Sequence, residues 1–337
     1  MVNKNNMVNK GFPKSVDIIN DLKAVENVHT DSWYIKSEFE CNGKKLGFTW
    51  HQGVSTTSLD GKKAMTLECL FMNVTDDTWI NKNRLYSISD TANIDYDKMH
   101  VYSPGVDFSG DHHQMDLKVL IDDILLDMHF TTNGEVLYNG VTGLIEFGCS
   151  NSYQFSFPNM KMEGTLTIAG EEYKVTNATA WYDRQYGTMN NKKVPATLLP
   201  GVTDWLWIGF SSLKDGKGAI SLWDVYNPGS RNAFATILRE DGTEANVLIN
   251  IRYDDIWTSA KSGYKYPKTI HVDIPDEEFK LTLRCLADLK YVEFVHEGEL
   301  KKLSGCQCLF DAQGTYKDTT INRICDVEII GNLCGED

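Results

Sequence analysis

From about residue 30 to the end of the chain, apolar and polar residues alternate with a period of two rather than 3.6. Leu46, Phe48 and Trp50 fall on one side of such a run; Leu281, Leu283 and Cys285 fall on one side of another, with Lys280, Thr282 and Arg284 opposite. Successive side chains of a strand point to opposite faces, so this pattern predicts half-buried β-strands. Between the runs stand Asn42-Gly43, Asp60-Gly61, Asn133-Gly134, Asp215-Gly216 and Asp241-Gly242, dipeptides that tolerate the positive φ of tight hairpin turns. One stretch departs: between Ser15 and Val28, Val16, Ile19, Leu22 and Val25 recur in steps of three, which predicts a short covering helix. The expected fold is therefore all-β and antiparallel with one N-terminal helix. Barrel closure is the expected way to remove strand edges, and it brings a cavity. The run 189–203 (MNNKKVPATLLPGVT) holds Pro195 and Pro200 and breaks the alternation. It divides the chain into a helical segment 1–29, a β domain 30–190 and a second β domain 191–337.

The length of 337 residues suits two domains of the usual ~100–200 residues. A formal net charge of -14, with no Lys/Arg-rich run to offset it, repels phosphate backbones and anionic membrane surfaces, so nucleic acid is not an expected partner. The N-terminal sequence MVNKNNMVNKGFPKSVD shows neither an apolar core nor a small-residue cleavage site, and no run approaches the ~18 apolar residues that cross a bilayer. A soluble, cytoplasmic protein without membrane insertion is expected; nothing in the sequence sets the number of subunits. Eight sparse cysteines then read as reduced and mostly buried, with Cys306 and Cys308 on one face of a strand rather than holding zinc.

No Gly-rich phosphate loop, Gly-x-Gly-x-x-Gly turn or Gly-x-Ser-x-Gly elbow occurs. His112-His113 has no neighbouring His to complete a metal site and reads as a turn. What stands out is aromatic. Trp181-Tyr-Asp-Arg-Gln-Tyr-Gly187, Asp204-Trp-Leu-Trp207 and Leu222-Trp-Asp-Val-Tyr226 alternate polar and aromatic residues. On a strand, Trp181, Asp183 and Gln185 share one face and Tyr182, Arg184 and Tyr186 the other. Asp224 and Tyr226 project with Ile220 and Leu222, which would place a carboxyl among apolar side chains, raise its pKa and suit it to proton donation. Such residues also serve as ordinary strand packing and ion pairs. Their density favours an aromatic-walled pocket for an apolar small molecule.

The chain resembles the lipocalin-like CrtC/AttH-like family, which includes carotenoid hydratases, kievitone-type hydratases and fungal Diels-Alderases. The resemblance rests on Asp31-Ser-Trp-Tyr34, Tyr153-Gln-Phe-Ser-Phe-Pro158, the run from Trp181 to Gly187, Trp257-Thr-Ser-Ala-Lys-Ser-Gly-Tyr-Lys-Tyr-Pro267 and Glu297-Gly298. It implies two lipocalin-like β-barrel domains, a ligand pocket at their interface, and no metal or organic cofactor. It also implies a hydratase or isomerase-type lyase, with cyclisation or ligand carriage as alternatives. In that reading Asp183 or Asp224 is the acid, Tyr226 and Tyr153 orient water or a carbonyl, and Trp181, Trp205 and Trp207 wall the pocket with Gln185 beside them. Carotenoid hydratases look to have Asp-His where this chain has Asp183-Arg184. A guanidinium stays protonated, so Arg184 is expected to bind a carbonyl or acid group of the substrate.

Overall fold

The computed structural model describes residues 13–56, 63–122, 124–147, 150–189, 204–227, 230–296, 301 and 304–335. Two antiparallel sheets dominate it: one of thirteen strands, β1 (Val28–Cys41) to β13 (Glu171–Met189), and one of ten, β14 (Asp204–Lys214) to β23 (Thr319–Ile330). In the first sheet β1 lies between β2 (Lys44–Thr56) and β13. The pairing continues through β3 (Lys63–Asn73) on one side and through β12 (Ser150–Ile168) and β9 (Ile124–Thr131) on the other. In the second, β14 lies between β15 (Lys217–Asn227) and β23; β16 (Ser230–Leu238) follows β15, and β22 (Gly305–Tyr316) then β20 (Phe279–Cys285) follow β23. Each sheet curls around its own core, giving the lipocalin-like all-β architecture. Trp33, Phe48, Trp50, Met128 and Tyr182 fill the first core; Leu206, Ile208, Leu283, Cys308 and Phe310 are among those filling the second.

The turns follow from backbone chemistry. At Asn42-Gly43 and Asp215-Gly216 both residues take positive φ, as two-residue hairpins require. At Asp241-Gly242 and Asn133-Gly134 only the glycine does; the first still joins β16 to β17 (Glu244–Leu248), while the second lies in a loop after β9. Asp60-Gly61 lies outside the described residues, as do Pro195, Pro200 and Glu297-Gly298. His112-His113 forms a bend capped by the Asp111 carboxylate, which accepts from the His113 and Gln114 amides. Seven cysteines are free thiols; Cys69, Cys306, Cys308 and Cys325 are buried, and Cys149 lies outside the described residues.

The expected helix between Ser15 and Val28 does not form; the segment is a series of turns that leads into β1. Local and tertiary acceptors and donors outcompete the helical ladder. The Asp17 carboxylate accepts from the amides of Ile19 (3.0 Å) and Asn20 (3.2 Å). The carbonyls of Asp21 and Lys23 accept from Arg184, and that of Leu22 from the Trp33 indole. Ile19, which the period-three reading put on the covered face, is 59% exposed.

The faces turned away from the two cores pack against each other. Tyr34 and Lys36 of β1, Thr49 and His51 of β2, Leu70 and Met72 of β3, and Trp181 and Asp183 of β13 occupy that face of the first sheet, because their neighbours in sequence fill its core. Trp207, Trp223, Leu309 and Asp326 occupy the matching face of the second. Trp181 meets Trp207 at 5.9 Å between ring centroids, Tyr34 meets Trp207 at 5.3 Å, and Leu70, Met72 and Leu309 form one cluster.

Candidate active site between the sheets

The aromatic wall comes from neighbouring strands. Trp207 lies edge-on to Trp181 and Tyr34 and 6.2 Å from Trp223; Phe147 bridges Trp205 (5.4 Å) and Trp223 (5.3 Å). Gly209, two residues along β14, makes this packing possible. A β-carbon there would stand 2.8 Å from the Trp207 indole and 2.9 Å from that of Trp181. Gly209→Ala is therefore expected to cost about 1–3 kcal/mol in chemical denaturation and to alter the near-UV tryptophan circular dichroism; unchanged spectra would mean that the wall is not packed as described.

Asp183 lies against this wall, 6% exposed. It accepts a hydrogen bond from the Trp181 indole N–H (2.7 Å) and another from the Ser156 hydroxyl. Burial pushes its carboxyl up to about 6, although donors from Ser156, Trp181 and Gln154 and the charge of Lys36 favour the anion. Gln154 keeps a buried Oε1 without a partner. Gln185 shares the face of Asp183, is half-buried, and donates to the Ser152 hydroxyl at 2.8 Å.

Deeper between the sheets, Gln307 Nε2 donates to Asp326 Oδ2 (2.6 Å), Tyr34 Oη (2.7 Å) and Thr49 Oγ1 (3.0 Å), while the Tyr34 hydroxyl reaches Asp326 at 3.3 Å. The buried Lys36 ammonium pairs with Glu38 at 2.5 Å and lies 5.8 Å from the Trp207 ring centre. Asp326 is raised to about 6 by burial, and Glu328 to about 7 by burial against a hydrogen bond from the Trp205 indole (2.7 Å). Burial and the neighbouring carboxylates hold the Tyr34 phenol well above its ordinary value, so it remains a donor. His51 and Glu68 sit directly opposite each other on β2 and β3, Nδ1 to Oε2 3.7 Å. Each keeps about a third of its side chain accessible (34% and 36%).

The structure brings together Asp183, Trp181, Gln185, Trp205 and Trp207, and separates the other candidates from them. Arg184 faces the first core with 0% exposure. Its guanidinium pairs with Asp31 at 2.5 Å, donates to the carbonyls of Asp21, Lys23, Ser32 and Gln185, and stacks 4.2 Å from the Trp33 ring. Buried on the core side and bonded to four backbone carbonyls, the guanidinium is turned away from the face of Asp183, and its ion-pair partner is Asp31. Tyr153 stacks on Tyr186 at 5.1 Å on that same inner side. Asp224 points into the second unit, where Arg231 grips both its oxygens at 2.8 Å and the Tyr253 hydroxyl donates at 2.5 Å. The apolar setting expected for it is replaced by a guanidinium and a phenol. Tyr226, two residues on, takes Arg231 against its ring at 5.0 Å. Sequence reasoning missed His51, Glu68, Gln307, Asp326 and Glu328. A Thr49/His51 face reads as solvent-exposed until the second sheet covers it, and the one available signal was Asp326 and Glu328 inside the apolar run Ile324 to Ile330.

Among the described residues no three His, Cys, Asp or Glu side chains are grouped so as to hold a metal ion, and no helix is long and apolar enough to cross a membrane. A groove of about 450 Å³ lies on the second unit, lined by residues including Arg252, His271, Lys280 and Gln313, none of which belongs to this constellation.

Two curled antiparallel sheets that meet through buried aromatic and acidic side chains define a class of lipocalin-like all-β proteins. The particular family follows from comparison: the AttH-like family model matches residues 12–295, and the chain belongs to that family. Among curated proteins it is 28% identical over 220 residues to the dehydratase asqC of Emericella nidulans, covering 62% of this chain and 58% of that one. It is 31% identical over 163 residues to the kievitone hydratase of Fusarium solani subsp. phaseoli, covering 45% and 43%. The matched stretches thus span roughly half the length of those relatives. Solved structures with the same fold include an AttH of Nitrosomonas europaea (TM-score 0.77, 18% identity, 95% and 98% of the two chains). Kievitone hydratase of Nectria haematococca (0.75, 17%, 96% of each) and CghA with Sch210972 (0.57, 12%, 96% of each) share it as well.

Proposed function

We propose that the protein is a lyase that adds or removes water across a carbon–carbon double bond of an apolar small molecule, and that the cleft between the sheets is its active site. Asp183 carries the reading: a buried carboxyl raised to about 6, set against an indole wall, is matched to proton transfer near neutral pH. The names of the two curated relatives, a hydratase and a dehydratase, agree with it. Trp181, Trp205 and Trp207 form the wall, and their ring faces favour developing positive charge. Four carboxyls, Asp183, Asp326, Glu68 and Glu328, converge on the cleft, so the substrate is neutral, a ketone or phenol rather than a carboxylate. Gln185 and the Tyr34 hydroxyl replace Arg184 as the groups that orient its oxygen.

The continuous aromatic array from Phe147 through Trp223 and Trp207 to Trp181, edge-to-face at both ends and tilted between Trp223 and Trp207, supports a second reading, cyclisation of a folded substrate held in reactive geometry. One experiment separates them. Incubated with a small-molecule extract of the native host in heavy-oxygen water, a lyase introduces solvent oxygen into a substrate or releases it; a cyclase rearranges a compound without exchanging oxygen; a carrier retains a compound unchanged. Loss of water from a compound, or gain of a water carrying solvent oxygen, that needs Asp183 is the expected result, and isomerisation with neither overturns the lyase reading.

A further inference from the structure

Water addition or removal moves two protons, and Asp183 accounts for one. His51 is placed for the other. It faces the cleft from β2, with Glu68 of β3 at 3.7 Å and the Tyr34 ring of β1 at 5.9 Å. Glu328 approaches from β23 of the second sheet, held by the Trp205 indole, and Asp183 from β13; both charges act on the imidazole. Asp326 and Glu68 act in turn on Glu328, His296 acts on Glu68, and Lys36 acts on Asp183 and Asp326.

We propose that His51 is the second proton-transfer residue of this cleft, positioned by Glu68 and Glu328, and that the His51–Asp183 pair is set for removing water from a β-hydroxy ketone. This rests on the lyase reading above. The Asp183 carboxylate takes a proton from the carbon next to the carbonyl; that electron pair forms the double bond; the carbon–oxygen bond breaks, and the hydroxyl leaves as water with the proton of the His51 imidazolium. Asp183 is then protonated and His51 neutral, and solvent at the accessible edge of His51 restores the starting proton states. Burial opposes the charge on His51, yet Glu68, Glu328 and Asp183 together raise its pKa above the ordinary value, and Glu68 is correspondingly lowered. Above about pH 6 the carboxylate and imidazolium forms therefore coexist. Hydration would need both in the opposite state.

The test combines NMR titration of the His51 ring with the rate of water loss, followed by mass spectrometry of the dehydrated product formed in the host extract, for the unaltered protein, His51→Gln, Glu68→Gln and Asp183→Asn. The ring is expected to titrate above its ordinary value of about 6.5. Glu68→Gln should lower that value and move the alkaline limb of the pH profile down with it, which a merely structural role would not do. His51→Gln should slow the reaction on the order of a hundredfold; if it does not fold, Glu68→Gln decides. A ring titrating at or below its ordinary value, or an alkaline limb that ignores Glu68→Gln, overturns the proposal. If the unaltered protein neither removes water from any compound nor adds it, the lyase reading falls and this assignment with it. If Asp183→Asn is inactive while His51→Gln is as fast as the unaltered protein, the reading stands and the assignment of His51 falls.

Discussion

Arg184→Lys is expected to destabilise the protein by about 3–5 kcal/mol, the usual cost of breaking a buried ion pair, while leaving the rate per folded molecule within a few-fold. The guanidinium pairs with Asp31 and bonds four backbone carbonyls. An ammonium has three donors on one atom and cannot span them. Two of those carbonyls, at Asp21 and Lys23, belong to the N-terminal turns, so losing the fork frees that segment and the inner end of Trp33 together. Chemical denaturation of Arg184→Lys, Asp31→Asn and the double variant checks this: the two single losses should be strongly non-additive, because both break one interaction. Additive losses, or a stable variant with lost turnover, would return Arg184 to the substrate site.

Asp183→Asn is expected to lower turnover by about 10²–10⁴-fold, the usual contribution of a positioned acid or base, without loss of folding. The asparagine oxygen can accept from Ser156 and Trp181 as the carboxylate does, and its amide can donate to Gln154, whose Oε1 has no partner in the native protein. The effect on stability has a definite sign. The folded-state pKa of Asp183, about 6, lies above the ordinary 3.8, so the folded protein binds the proton more tightly than the unfolded chain. Stability from this group is fully present below about pH 4 and is lost as pH rises through about 6, a difference of about 3 kcal/mol. Above about pH 6 the variant should therefore be at least as stable as the native protein, with the two converging near pH 4. Urea denaturation across that range measures it, and a variant less stable at every pH would contradict the burial of the charge.

How far the sequence alone reaches can be judged from particular residues. The alternation at Leu46, Phe48 and Trp50 identifies the first core because a strand shows its pattern locally. The same alternation separates Trp181 and Asp183 from Tyr182 and Arg184. It does not say which face meets another sheet. Arg184 read as a pocket residue from its place in the family-like Asp183-Arg184 pair, and Tyr153 from the family-like run Tyr153 to Pro158, yet in a strand adjacent residues face opposite sides. Asp224 read as an isolated acid because Arg231 comes from the next strand and Tyr253 from β18 (Asn250–Thr258). The N-terminal turns read as a helix because their apolar spacing fits three, while the donors that take its carbonyls, Arg184 and Trp33, lie more than ten positions away. His51, Glu68 and Glu328 belong to two sheets, and only the packing of those sheets makes them one site.

The central claim is that Asp183 performs its chemistry as a buried carboxyl with a shifted pKa in the cleft between the sheets. The pH dependence of turnover, measured beside an NMR titration of the Asp183 carboxyl, tests it most directly. The account predicts that both report the same group, with a limb in the rate near pH 6 that coincides with the carboxyl titration and disappears in Asp183→Asn. A rate that is flat across that range, or a carboxyl that titrates near its ordinary 3.8, would contradict it.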